Sequence, residues 1–116
     1  MKFIEYPKCS TCQKAKKYLL EKGIKFEDRD IVLNNPTEKE LKKWIKLSNK
    51  DIAKWFNTTG IKYRELNLKE KIKDMTYEEK ISLLASDGKL IKRPILIGNN
   101  FVLNGFKEKE WDELVK

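Results

Sequence analysis

Two thiols three positions apart, Cys9 and Cys12 in the run Pro7-Lys8-Cys9-Ser10-Thr11-Cys12, are the only cysteines in the chain and the side chains best suited to chemistry. A pair at that spacing can close a disulfide. The short run Phe3-Ile4-Glu5-Tyr6 ahead of them reads as a strand and the segment after Cys9 as a helix, so Cys9 falls at or just before a helix N-terminus. Unsatisfied N–H groups there favour a thiolate. Because the thiolate is the species that attacks a disulfide, the pattern points to redox chemistry, with Cys9 as nucleophile and Cys12, sheltered inside the first turn, as resolving thiol. The plainer alternatives are a small buried Cys12 that never reacts, or half of a metal site.

The metal alternative is weak. The chain has no histidine, the commonest metal ligand and general base, and two cysteines cannot complete a four-ligand zinc site. No metal is therefore expected, and no bound cofactor. A formal net charge of +8 invites a polyanion, but the lysines are scattered among Glu and Asp along nearly every helical stretch, so direct nucleic-acid binding is not expected. No apolar run approaches the ~18 residues of a membrane span, and Met1-Lys2-Phe3-Ile4-Glu5-Tyr6-Pro7 lacks the apolar core of a signal peptide. A cytoplasmic protein is expected, where a cysteine pair is more often reactive than structural.

The elements that must position the thiols follow from periodicity. Residues 2 to 6 form a strand. Cys12, Ala15 and Leu19 fall at helical spacing, Gly23 ends that helix, and Ile24 to Ile31 supplies a second strand. A parallel strand–helix–strand unit with right-handed crossover is half of a thioredoxin-like core. Thr37 and Glu40 open a helix whose apolar face is Leu41, Trp44 and Ile45; a short helix over Asp51 to Phe56 buries Ile52, Trp55 and Phe56. The pairs Asn67/Glu70 and Thr76/Glu79 mark two further helix starts, the second helix carrying Ile81, Leu84 and Ala85 inward. After Pro94 the runs Ile95-Leu96-Ile97 and Phe101-Val102-Leu103 read as a hairpin around Asn99-Asn100, and a closing helix carries Trp111, Leu114 and Val115. The expected fold is α/β, a thioredoxin-like (glutaredoxin-like) domain spanning 1–116. Its four-stranded mixed sheet carries an all-helical insert, about residues 36 to 88, between strands 2 and 3.

Lysine supplies 23 of the 26 cationic side chains, which leaves Arg29, Arg64 and Arg93 to explain. In a thioredoxin-like fold the segment before the third strand lies opposite the cysteine turn, and a cis Arg93-Pro94 bond there would face a substrate held by Cys9. Arg93 would reach the same pocket. A guanidinium can hold an oxyanion or carboxylate with two hydrogen bonds and stabilise a thiolate beside it.

Taken together, the Pro-x-Cys turn, Cys9-x-x-Cys12, the all-helical middle, Asn57-Thr58-Thr59-Gly60 followed by Tyr63-Arg64-Glu65-Leu66, and Lys92-Arg93-Pro94-Ile95 resemble the arsenate reductase/Spx family from about residue 2 onward. The likeness is greatest to the short arsenate-reductase-like members with a C-x-x-C pair. It implies one of two activities on one fold. In the glutaredoxin-coupled reductases the catalytic cysteine corresponds to Cys9, and two of three oxyanion-binding arginines to Arg64 and Arg93. The third has no counterpart, since the hairpin ends Leu103-Asn104-Gly105-Phe106. In the Spx-type regulators, which bind the RNA polymerase α subunit, the C-x-x-C pair acts as a disulfide switch. Those proteins carry a basic tail after the last helix, whereas this sequence stops at Val115-Lys116, and Leu47-Ser48-Asn49-Lys50-Asp51 lacks their polymerase-facing glycine.

The resulting expectation is a thiol-dependent oxidoreductase with Cys9, Cys12 and Arg93 as its catalytic residues. Its substrate contacts would come from Lys8, Ser10, Thr11, Arg64, Arg93 and Pro94. The expected substrate is a small oxyanion or a thiol/disulfide, with glutathione, glutaredoxin or thioredoxin as electron donor.

Overall fold

The computed structural model describes residues 1–115. Strand β1 (Lys2–Glu5) runs into helix α1 (Ser10–Glu21), which returns the chain to β2 (Glu27–Asp30) parallel to β1, with Phe3 opposite Asp28. A parallel pair needs a crossover of this kind, and α1 provides it. After a helical insert, β3 (Ile95–Ile97) and β4 (Val102–Asn104) form an antiparallel hairpin, and β3 pairs antiparallel with β1, Phe3 lying opposite Leu96. The strand order β2-β1-β3-β4 is the four-stranded mixed sheet of a thioredoxin-like core.

Alternation along the strands builds two cores, because successive side chains leave opposite faces of a sheet. Phe3, Leu96 and Leu103 face Ala15, Tyr18 and Leu19 of α1, together with Trp111 and Val115 at the chain's last helix, α6 (Glu108–Leu114). Ile4, Ile95 and Val102 face the insert. The insert contributes α2 (Glu38–Ser48), a 3-10 turn at Ile52–Trp55, α3 (Ile61–Glu65), α4 (Leu68–Lys71) and α5 (Tyr77–Ser86). Trp55, Leu41, Ile81 and Leu84 are fully buried against that face.

Local chemistry places the insert. Thr37 Oγ1 accepts from the Glu40 N–H at 3.1 Å and Glu40 Oε1 from the Thr37 N–H at 3.0 Å, so each satisfies the other's end of α2. Arg29 clamps the same carboxylate at 2.8 and 3.0 Å and donates to the carbonyls of Asn34 and Asn35, which holds Glu40 down to about 2. This arginine is therefore a structural clamp between β2 and α2. At the far end, the Lys92 N–H donates to the Trp55 carbonyl at 2.7 Å and the Asn57 N–H to Leu90 at 2.8 Å. These bonds lay Asn57–Gly60 beside the segment that leads into β3.

A helix, the single-turn α4, does start at Asn67 as expected, but Asn67 makes no side-chain capping hydrogen bond and takes a left-handed conformation (φ 52°), which an Asn side chain tolerates, to join α3 to α4. Two local expectations need correction. The second strand begins at Glu27, while Ile24 and Phe26 leave the sheet to pack under Phe3. In α6 Leu114 is exposed, because Trp111 and Val115, four apart, already define the buried stripe.

Candidate active site

Cys9 is the N-cap residue of α1, in extended conformation at φ −86°, ψ 122°. The turn before it is fixed by the Cys9 N–H donating to the Tyr6 carbonyl at 2.9 Å, and by Gln13 Nε2 donating to the Pro7 carbonyl at 2.6 Å. An N-cap side chain faces the first free N–H groups of its helix. The Cys9 side chain makes no capping hydrogen bond. Partial burial raises its pKa, but the Cys12 N–H and thiol and the Arg93 guanidinium outweigh that and bring it below the ordinary cysteine value. Cys12, fully buried one turn on, goes the other way: burial dominates, the neighbouring Cys9 sulfur adds to it, and the Tyr6 N–H only partly opposes them, leaving its pKa pushed up to about 12. Both thiols are free. The pair is thus divided into one accessible sulfur inclined to ionise and one buried sulfur held protonated.

Arg93 reaches this turn from the segment leading into β3, the strand beside β1, and is joined to the buried Pro94 by a cis peptide bond. Its guanidinium lies over the Tyr6 ring, 5.0 Å from the centroid, and Nη1 donates to the Lys89 carbonyl at 3.3 Å. Its Nε is buried without a partner. Stacking on an aromatic face orients the planar fork without consuming all its donors.

A cleft of about 760 Å³ opens in front of the two groups. Cys9, Ser10, Thr11 and Arg93 line it; Cys12 lies behind Cys9, out of its lining. Lys8 and Arg64 are exposed outside that lining, and Pro94 is buried beneath Arg93. Tyr6, Asn57, Thr59, Asn104 and Phe106 also line the cleft and were not picked out from the sequence as site residues. For Asn104 and Phe106 the available signal was their position at the hairpin end, where the sequence offers no third arginine. Among the described residues no cluster could hold a metal ion, and no helix is long and apolar enough to cross a membrane.

The family model of the ArsC family matches residues 4–114. Among solved structures, an ArsC-family-related protein from Bacteroides fragilis is 54% identical at a TM-score of 0.95, over 97% of this chain and 95% of that one. A protein from Streptococcus mutans UA159 named a possible arsenate reductase is 38% identical at a TM-score of 0.86, over 96% of each chain. Among curated proteins, the regulatory protein MgsR of Bacillus subtilis (strain 168) is 34% identical over 114 residues, 98% of this chain and 89% of that protein.

Proposed function

Since the chain belongs to the ArsC family, we propose that it is a cytoplasmic thiol-dependent oxidoreductase in which Cys9 attacks, Cys12 resolves and Arg93 supports both substrate and thiolate. The observation that carries this reading is the division between the two sulfurs: Cys9 meets the cleft in surroundings that favour its anion, and Cys12 waits behind it as a protonated thiol. A structural pair would not need that asymmetry.

With a disulfide substrate, the Cys9 thiolate attacks one sulfur. A Cys9–substrate disulfide forms, the substrate's S–S bond breaks, and the departing thiolate takes a proton from water. Cys12 then loses its proton to solvent and attacks the Cys9 sulfur, expelling the second substrate thiolate, which is protonated in turn. The substrate has gained two electrons and two protons, and the protein holds a Cys9–Cys12 disulfide. Two equivalents of a donor thiol, from glutathione, glutaredoxin or thioredoxin, return it to the dithiol. A small oxyanion would occupy the same cleft against Arg93, whose fork pairs with two oxygens. Ser10 and Thr11 offer hydroxyls at the cleft wall beside Cys9. Lys8, at the turn though outside the cleft, adds positive charge near the thiolate, and Arg64 contributes at most from the rim.

A second reading rests on the likeness to a regulatory protein: the same disulfide would switch contact with the RNA polymerase α subunit. One experiment separates the two. Purified Cys12→Ser protein, mixed with cell extract and eluted by reductant, should release molecules trapped as mixed disulfides on Cys9. Recovery of glutathione or a thiol-redox protein supports the oxidoreductase. Retention of RNA polymerase through contacts that reductant does not break, with no thiol released, refutes it.

A further inference from the structure

A second pocket, of about 420 Å³, adjoins the thiol cleft and shares Asn57, Thr59, Lys92 and Lys107 with its lining. Lys50, Ala53, Lys54, Phe56 and Thr58 complete its wall, and no carboxylate lines it. We infer that this pocket is the subsite for an oligoanionic end of the substrate, a low-molecular-weight thiol or its disulfide bearing two or more phosphate or carboxylate charges remote from the sulfur. The inference rests on the oxidoreductase reading and adds the substrate's charge class to it.

Some lysines elsewhere sit against carboxylates, as in Lys16–Asp28 at 2.8 Å, Lys42–Glu78 at 2.8 Å and Lys62–Asp87 at 3.3 Å, while others stand singly; here four converge on one concavity. At this wall only Lys50 has such a partner, Glu110 at 3.3 Å; among the described residues Lys54, Lys92 and Lys107 have none. Like charges gathered on one concave surface create a potential that a bound anion relieves. Lys92 feels the crowding: burial first, then the ammonium groups of Lys50, Lys107 and Lys54, pull its pKa below the ordinary lysine value.

The wall is also built. The Lys92 N–H is tied to Trp55 at 2.7 Å, and its carbonyl accepts from Asn104 Nδ2 at 2.7 Å. Its side chain crosses Gly105, whose φ of 80° and missing side chain leave room: a Cβ there would stand 2.7 Å from Lys92 Cε. Lys50 Nζ donates to the Asn104 carbonyl at 3.1 Å. Lys50 and Lys92 are therefore placed by the fold, Lys92 next to Arg93 in sequence, in a pocket continuous with the cleft. A substrate whose sulfur meets Cys9 has a cationic socket for its other end.

The test uses inorganic pyrophosphate as probe for the pocket alone, titrated by calorimetry at 0.15 M salt into Cys9→Ser/Cys12→Ser protein. Saturable binding should weaken at least tenfold in Lys54→Gln/Lys107→Gln and stay unchanged in Lys17→Gln/Lys25→Gln, a control that removes the same charge from outside the pockets. In the two-cysteine protein, Cys9 should react faster with an oligophosphate nucleotide-thiol disulfide or with glutathione disulfide than with neutral hydroxyethyl disulfide. That ratio should collapse in the Lys54/Lys107 variant and persist in the control. A nucleotide-disulfide preference identifies phosphate as the anion, and a glutathione preference identifies carboxylate. Absent pyrophosphate binding, equal loss in both variants, or a ratio near one overturns the assignment. Pyrophosphate binding with no exchange on any of the three disulfides would instead be a failure of the oxidoreductase reading, with the anion pocket still standing.

Discussion

Glu5 gives the sharpest physical test of the fold around the thiols. It ends β1, buried to within 1% of complete coverage, with Oε1 unpartnered; Oε2 meets Lys16 at 3.3 Å, and Asp28, a β2 carboxyl, lies beside it. Burial, then the hydrogen bond and charge of Asp28, outweigh Lys16 and push the Glu5 carboxyl from 4.5 to about 7. An acid whose folded pKa lies above its unfolded one binds a proton in the folded state over the interval between them. Stability therefore falls as pH rises from about 4.5 to about 7 and stays reduced above that. The gap of about 2.5 pH units, at ~1.36 kcal/mol each, sets an upper size of about 3 kcal/mol. For 116 residues that is roughly 12 °C in Tm.

Glu5→Gln keeps the size and the hydrogen-bond donor of the protonated acid. It should match the parent near pH 4 and exceed it by up to about 3 kcal/mol at pH 8. The window is clean: the chain has no histidine, and Asp28 and Glu40, both held below their ordinary values, act at lower pH with the opposite sign. Cys9, also opposite in sign, is common to both proteins and cancels in the difference. Urea unfolding under constant reductant, followed by fluorescence of the buried Trp44, Trp55 and Trp111, would give both curves. A stability difference that is flat between pH 5 and 8, or that favours the parent as pH rises, refutes the reasoning.

Alkylation of single Cys→Ser variants against pH should show Cys9 reacting at neutral pH and Cys12 nearly inert, because Cys12 is fully buried with its pKa pushed up to about 12; faster reaction at Cys12 would reverse the assigned roles. Arg93→Ala should move the Cys9 thiolate titration to higher pH by removing a charge-assisted contact of roughly 1.5–3 kcal/mol, and Arg93→Lys should restore only part of it, since an ammonium lacks the planar fork. An unchanged titration in both would make Arg93 a bystander. Gly88→Ala should cost several kcal/mol in urea unfolding, on the order of the 4–5 kcal/mol reserved for the most damaging substitutions, because a Cβ there would run into the Ile31 carbonyl and displace the Gly88 N–H from Asn35 Oδ1, now at 3.1 Å. A cost below about 1 kcal/mol would mean that the junction between the insert and β2 yields easily.

The sequence by itself determined what depends on neighbours along the chain. A strand ending at the cysteine turn, a helix opening there, two Thr/Glu capping boxes and an alternating hairpin are all local patterns, set by the periods 2 and 3.6 and by backbone groups a few residues apart. That was enough to reach the thioredoxin-like order and to put Cys9 before Cys12 in exposure. What lay beyond it came from long-range juxtaposition. Arg29 and Arg93 look alike in sequence, yet the first is spent on Glu40 and the second lies on Tyr6 beside Cys9 with donors to spare. Arg64, on α3, falls outside the cleft, while Asn104 and Phe106 at a hairpin end fall inside it. Lysines that read as a scattered solvated charge gather into one concave wall only when residues 50, 54, 92 and 107 meet. Glu5, one polar residue in a strand pattern, becomes a buried acid because α1 and β2 close over it. Charge and desolvation act through space, over distances that are unrelated to separation along the chain; the tertiary structure alone decides which groups share them.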